Sequence, residues 1–511
     1  MLATTNSACL HGVTAHLVHV EANSGETGDP RVVLVGLPDA AVKEAIDRVR
    51  SSLVNSGYSL PRTRVTINLA PSDLRKEGAS YDLPIAISLL GAITKDVHHS
   101  MSQYLIAGEL SLSGEVRPIK GAIAMALLAR QLGFKGIILP HASAQTASVV
   151  EGVSVIGVQS LSETFDFITG KKSLDPLQGR DGILNFHSFS KNIPDFTDIK
   201  GQGNVRRAVE IAVAGGHNFL MIGPPGSGKS MVAKRVPSIL PPPSHEELLE
   251  ILNISSAVSE SMERKSVFYR RPFRAPHHTT SDVGLIGGGS IPGPGEISLA
   301  HQGVLFLDEL PEFRRSALEV LRQPLEDGEV TISRSAGKIT LPAQFILVAA
   351  MNPCPCGYLG SREQNCRCSI PQVQKYRNRI SGPLLDRIDI HVEASPVKID
   401  DLQNSVKGES SEKISDRILA CREIQATRYK NLNIKTNARI PDSLMEDFCH
   451  VSESDALLLK QAMKDLSLSA RAYNRILKVA RTIADLAKSK KLEKLHILEA
   501  IQYRSLDRKF F

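Results

Sequence analysis

The sequence predicts a multidomain α/β protein: a first part that mixes strands and helices, a parallel sheet at the centre, and helices alone at the end. Three observations carry this. An apolar run, Phe219-Leu220-Met221-Ile222, leads into Gly223-Pro224-Pro225-Gly226-Ser227-Gly228-Lys229-Ser230, a complete G-x-x-x-x-G-K-[ST] loop. Two further apolar runs, Val304-Leu305-Phe306-Leu307 and residues 345–351, each end in polar residues, as buried strands of a parallel sheet do. Residues 455–501 carry helical spacing and no strand signal. At 511 residues the chain exceeds a single core, and length alone suggests about three domains.

Composition narrows the class. Hydrophobic residues make up 42%, enough for sizeable cores, and no apolar run is long enough to span a bilayer. Residues 1–12 lack a basic stretch followed by an apolar one, so a cytoplasmic protein without a membrane partner is expected. Lysine and arginine number 61 against 54 acidic residues; the net +7 suits an anionic partner but is too dilute over this length to specify one. Four of the seven cysteines fall in one short stretch, which points to a local site in a reducing compartment and not to a disulfide framework.

In residues 1–170, Val32-Val33-Leu34-Val35, closed by Gly36, reads as a strand, and residues 40–54 have helical spacing. Val65-Thr66-Ile67-Asn68-Leu69 alternates as a strand, and residues 83–90 read as a buried helix. Leu105-Ile106-Ala107 and Gly136-Ile137-Ile138-Leu139 are strands flanking a helix over 122–131. The residues Glu77-Gly78-Ala79-Ser80, Gly108-Glu109-Leu110 and Gly114-Glu115-Val116-Arg117-Pro118-Ile119 resemble the Lon-protease-like α+β domain that precedes the ATPase in magnesium-chelatase-like proteins of the ComM/YifB family. That resemblance puts Ser80 where a serine nucleophile would stand, with its lysine just after a Pro-Ile-x-Gly turn. Here Gly121 leads into Ala122-Ile123-Ala124-Met125-Ala126, and Lys120 precedes the glycine. A hydroxyl without a base is a weak nucleophile, so Ser80 reads as a turn residue and the domain as non-catalytic, a platform for assembly or nucleic acid. An ATP-dependent protease is the alternative that a base from elsewhere would restore.

Residues 171–198 turn polar, with Pro176, Gly179, Gly182 and Pro194, and read as a linker to an ATPase domain over 199–398. Phe196 and Ile199-Lys200-Gly201-Gln202 resemble the base-binding entry of AAA+ ATPases, ahead of a helix over 205–214. In the phosphate loop, glycines let backbone N–H groups turn inward around an anion, Lys229 reaches the outer phosphates and the Ser230 hydroxyl sits on Mg²⁺. ATP and Mg²⁺ are therefore the expected cofactors. Asp308 and Glu309, which end the 304–307 strand, suit holding Mg²⁺ and polarising the attacking water. Asn352, past the 345–351 strand, stands where the sensor-one residue of AAA+ proteins orients that water.

Leu384-Leu385-Asp386-Arg387-Ile388-Asp389 resembles the arginine-finger segment of magnesium chelatases and minichromosome-maintenance helicases, which makes Arg387 the finger. A finger acting in trans requires a ring, and the resemblance implies a homohexamer. Residues 399–511 read as a helical lid, in which Leu468-Ser469-Ala470-Arg471 puts Arg471 at the sensor-two position. Residues 275–300, with His277, His278 and Gly287-Gly288-Gly289-Ser290, resemble the helix-two insertion of this clade, a pore loop; two adjacent histidines without further ligands are a weak metal pair. Residues 329–344 alternate, turn at Ser335-Ala336-Gly337 and return. They read as a hairpin whose Arg334 and Lys338 would grip a phosphate backbone, at the place of the pre-sensor hairpin of related helicases.

Over residues 354–368, Cys354-Pro355-Cys356 and Cys366-Arg367-Cys368 offer four thiolates, the set tetrahedral Zn²⁺ takes; C-x-C spacing is tighter than the usual C-x₂₋₄-C, so zinc and free thiols both stay open. The family resemblance, which covers nearly the whole chain, implies an ATP-driven hexameric DNA helicase that promotes branch migration on single-stranded or branched DNA during transformation or recombination, with recombination proteins as unspecified partners. A magnesium-chelatase-type motor subunit shares the same ATPase core and is the other alternative.

Overall fold

The computed structural model describes residues 1–26, 31–60, 63–74, 76, 78–94, 98–177, 194–258, 270–289, 292–334, 337–360, 364–395, 408–466 and 469–504. Glu77, the 178–193 part of the expected linker, Ser290, the hairpin tip Ser335-Ala336 and Leu468 lie outside the described residues. The described chain is a mixed α/β protein with a parallel-sheet core and a helical C-terminal part, and it divides into two compact units.

The first unit takes residues from Met1–Phe189, His245–Tyr269 and Pro292–Pro294. Its seven-stranded sheet runs in the order Val32–Val35, Arg64–Ala70, Thr14–Glu26, Leu2–His11, Tyr104–Ile106, Gly136–Pro140, Ser154–Val158. The strands expected near 32, 65, 105 and 136 are present, as are helices Ala40–Asn55, Asp82–Ile93 and Ala122–Gln131. Asp39 caps the first helix, accepting from the Val42 N–H at 2.8 Å.

The central antiparallel pair, Leu2–His11 with Thr14–Glu26, is an addition to the strands expected from the sequence. The first strand buries Ala3, Thr5, Ser7, Ala8 and Cys9, small or polar residues that hydrophobic periodicity does not register, whereas Val18, Val20 and Ala22 of the second alternate on the buried face. Thr5 Oγ1 lies 2.7 Å from Ser88 Oγ and Ser88 Oγ donates to the Pro84 carbonyl, whereas Ser7 Oγ is buried without a hydrogen-bond partner among the described residues.

Helix His245–Val258 belongs to this unit although it follows the phosphate loop in the chain. Leu248, Leu249 and Leu252 join the core formed by Ala122, Ile123 and Ala126, and Asn253 Nδ2 donates to Val13 O at 3.0 Å. At Gly121 φ is +73°, and an added Cβ would meet Leu10 Cδ1 at 2.2 Å, which reserves the position for glycine.

The second unit holds Ser190–Ser244, Arg270–Ile291 and Gly295–Phe511. Its five strands are all parallel, in the order Phe273–Arg274, Val304–Leu307, Ile346–Met351, Phe219–Ile222, Ile390–Glu393. Every residue of the 219–222 and 346–351 strands is buried, consistent with a sheet covered on both faces. Helix Gly203–Gly215 ends on Gly216 in the left-handed conformation and packs against helices Ser411–Arg428 and Ala470–Leu486, so sheet and C-terminal helices share one core. A separate hairpin pairs Glu329–Arg334 with Gly337–Pro342; Val330, Ile332, Ile339 and Leu341 are buried.

Candidate active site

The parallel register brings three strand ends to one edge of the sheet. Ile222 pairs with Met351 and Leu307 with Ala349, so Gly223, Asp308 and Asn352 emerge side by side, where open α/β sheets bind ligands. Gly226 and Gly228 take φ of +78° and +80°, a conformation that favours glycine. A Cβ on Gly223 would lie 2.2 Å from the Ala394 carbonyl oxygen.

Lys229 Nζ donates to Gly223 O at 2.7 Å, Pro224 O at 2.9 Å and Asn352 Oδ1 at 3.2 Å. Burial lowers the pKa of this ammonium, and the Asp308 and Glu309 carboxylates oppose the shift. Ser230 Oγ donates to Asp308 Oδ2 at 2.5 Å, and Asp308 Oδ1 accepts the Glu309 N–H at 2.9 Å. The structure thus unites Lys229, Ser230, Asp308 and Asn352. A hydroxyl beside a carboxylate is the oxygen donor set Mg²⁺ takes, and a lysine on a glycine-bent loop is a phosphate ligand, so these residues fit a nucleotide with its magnesium. Glu309, at φ +51°, has Oε2 3.4 Å from His278 Nδ1, and its charge still acts on Lys229.

Polar side chains beside the strands hold the edge together, Gln202 from the expected base-binding entry and Asn218 and Tyr376 with no sequence signal. Asn218, just before the phosphate-loop strand, donates from its N–H to Asp389 Oδ2 (3.0 Å) and from Nδ2 to Arg387 O (3.1 Å), and accepts from Leu347 N at Oδ1 (2.8 Å). Gln202 Nε2 bridges Ser227 O at 3.0 Å and Ser395 O at 2.6 Å. Tyr376 is pushed up to about 12 by burial, with the Asn352 backbone against its hydroxyl. A polar residue next to a strand looks like any turn residue in sequence; only the strand order shows what it bridges.

Arg387 is 8% exposed; Nη2 pairs with Glu326 Oε1 at 2.6 Å and Nη1 donates to Pro383 O at 2.6 Å. Arg471 is exposed in the first turn of helix Ala470–Leu486. One turn on, Arg475 donates to the Arg387 carbonyl at 3.2 Å and pairs with Asp389, which ties the helical part to the segment carrying Arg387. Burial would raise the Asp389 carboxyl, but Arg475 and His217 beside it hold it well below the usual carboxylate range. Lys338 is exposed on the hairpin opposite Ser333, and the Arg334 side chain lies outside the described residues. Ser80 occupies the short turn Ala79–Tyr81, and the ammonium of buried Lys76 is directed to the Pro71 carbonyl.

The four cysteines converge. Cys354 Sγ lies 3.4 Å from Cys356 Sγ and 3.7 Å from Cys366 Sγ, the Cys356–Cys366 separation is 3.6 Å, and all four sulfurs lie within 4.8 Å of one another. A tetrahedron with metal–sulfur bonds of about 2.3 Å has sulfur–sulfur edges of about 3.8 Å, so the spacing suits one metal ion. Backbone N–H groups of Tyr358 and Arg367 lower the Cys356 thiol to about 6. The loop abuts the phosphate loop: a Cβ on Gly357 would meet Pro225 Cδ at 2.5 Å.

Family models match along most of the chain: magnesium chelatase, subunit ChlI, over residues 195–402; subunit ChlI of Mg-chelatase over 20–143; and the magnesium chelatase subunit ChlI C-terminal model over 408–504. The chain is 43% identical over 508 residues to the YifB protein of Escherichia coli, covering 99% of this chain and 98% of that one. It is 44% identical over 513 residues to competence protein ComM of Haemophilus influenzae, again covering 99% and 98%. Among the described residues no helix is long and apolar enough to cross a membrane.

Proposed function

The chain belongs to the ComM/YifB family of magnesium-chelatase-like AAA+ proteins, and from that premise we propose that it is an ATP-driven motor that moves along DNA as a homohexameric ring. The observation that carries this reading is the convergence of Lys229, Ser230, Asp308 and Asn352 at one sheet edge. Bound magnesium would supply charge neutralisation at the outer phosphates, held by Ser230 and Asp308, with Lys229 on the phosphate oxygens. Glu309 polarises the attacking water and Asn352 orients it. Arg387 acts on a neighbouring subunit's nucleotide once freed from Glu326, and Arg471 contacts the nucleotide from the lid.

The DNA part rests on the competence name of the Haemophilus relative and on exposed Lys338 at the hairpin, with Arg334 as its partner. On this reading the protein promotes branch migration on single-stranded or branched DNA, residues 1–170 form a non-catalytic platform, and residues 399–511 act as the lid. The cysteine loop binds one structural Zn²⁺.

Steady-state ATP hydrolysis tests the proposal, with protein alone, with single-stranded DNA and with casein, using Lys229→Ala as the blank. Stimulation by DNA alone is expected. Stimulation by casein alone, with cleavage products, would refute it and restore Ser80 as a nucleophile.

A further inference from the structure

The strands of the second unit are parallel, so the two edges of its sheet differ in kind. Phe219 pairs with Ile390 and Ile222 with Glu393, which sets Gly223 beside Ala394 at one edge and Asn218 beside Asp389 at the other. Gly223, Asp308 and Asn352 follow the last residues of their strands, whereas Arg387 comes before the first residue of the Ile390–Glu393 strand. Four strand residues, roughly 13 Å, separate the edges. Arg387 therefore leaves the backbone at the edge away from its own phosphate loop, a placement that fits service to another chain's nucleotide.

Asn218, 9% exposed, stands at the same edge, and each of its polar groups is engaged. Its carbonyl accepts from Asp389 N at 2.9 Å and Ile390 N at 3.1 Å, and its N–H donates to Asp389 Oδ2 at 3.0 Å. Nδ2 donates to Arg387 O at 3.1 Å, and Oδ1 accepts from Leu347 N at 2.8 Å. Leu347 lies in the strand that leads to Asn352, and Asn218 itself opens the strand that leads to the phosphate loop. One amide thus joins both strands behind a chain's own nucleotide site to the backbone of Arg387. The Arg387 N–H donates to Leu384 O at 3.0 Å, and Arg475 Nη1 is a second donor to its carbonyl at 3.2 Å. With both flanking peptides bonded, the direction in which the arginine side chain leaves the chain is set.

We propose that Asn218 is a positioning residue for Arg387: it sets where the guanidinium meets the next subunit's nucleotide and ties that placement to the strands behind its own. This rests on the reading that Arg387 acts in trans. A guanidinium neutralises charge on the transferred phosphoryl group only at contact distance, and a misplacement of about 1 Å costs on the order of 10²-fold. Loss of Asn218 therefore damages hydrolysis in the neighbour and spares nucleotide binding in its own loop.

Mixed rings test this, because they separate a chain's own site from the arginine it gives away. Arg387→Ala chains keep the loop and lack the finger; Lys229→Ala chains keep the finger and lack a working loop. Reassembly with excess K229A should raise ATP turnover per R387A chain several-fold. Asn218→Ala alone should lower kcat about 10- to 100-fold with KM for ATP within about two-fold. K229A should rescue N218A to the same degree as R387A, and the double variant N218A/K229A should fail to rescue R387A. Rescue of R387A but not of N218A, or rescue of R387A by N218A/K229A, would place the effect in the chain's own site and overturn the inference, as would full activity of N218A alone. No rescue of R387A by K229A is a separate failure, which removes the trans reading of Arg387 itself. If N218A does not fold, Asn218→Leu, which fills the same space without either side-chain bond, decides in the same mixtures.

Discussion

Replacing Arg475 by alanine should destabilise the second unit by about 3–5 kcal/mol, the cost of stripping a buried carboxylate of its cation. Asp389 is 6% exposed, and after the change it keeps the Asn218 N–H at 3.0 Å and His217 Nδ1 at 3.6 Å, with the charges of Arg439 and Lys478 farther off. Unit charges about 4 Å apart at an effective dielectric of ~20 attract by ~4 kcal/mol, which agrees with that range. The folded Asp389 carboxyl is depressed below its ordinary value, so the pair's contribution is present above the unfolded pKa of about 3.9 and is lost as pH falls through the folded value. In R475A burial acts without Arg475 and raises that pKa, so a proton relieves the variant in acid. The deficit should be largest at pH 7–8 and shrink below about pH 5. Urea titrations of the full chain check this, followed by far-ultraviolet circular dichroism and, for the second unit, by loss of ATP binding. A deficit under about 1 kcal/mol at pH 8, or one that grows in acid, would refute the argument. As a companion, the double change Asp389→Leu with Arg475→Met should be more stable than either single one.

Lys229→Ala should lower ATP turnover by at least about 10²-fold in a coupled phosphate-release assay, because it removes the lysine that bridges the phosphate loop and Asn352. Elemental analysis of purified protein should find one zinc per chain, reduced to traces in Cys366→Ser; four freely titratable thiols and no metal in the unaltered protein would refute the site. Zinc affinity should fall as pH is lowered, since the thiols must lose protons to bind. Lys338→Ala should weaken DNA binding evenly across sequences and reduce the slope of log K against log salt by about one for each phosphate the protein no longer neutralises, measured by fluorescence anisotropy.

The candidate nucleotide site was legible because the residues proposed for it form local patterns. The phosphate loop compresses glycine turns, lysine and serine into eight consecutive residues, and Asp308 and Asn352 each follow a run of apolar residues that can only be a buried strand. The hairpin at 329–342 and the cysteine cluster were legible for the same reason, since period-two alternation and paired cysteines are short-range patterns. The strand at 2–11 was not, because it buries alanine, serine and threonine, with Thr5 bonded to the distant Ser88, while the Val18, Val20 and Ala22 alternation of 14–26 is a local signal missing from the strands expected above.

By itself the sequence determined which residues can hold a triphosphate and that the chain alternates strands with helices before ending in helices. Tertiary structure decided what those residues face. Strand order made Asn218 a bridge between three strands. It also returned helix His245–Val258 to the first unit and set Arg475 against Asp389 across 86 residues of chain. Such pairings depend on which strand lies next to which, a long-range outcome of burying apolar faces that no window of sequence contains.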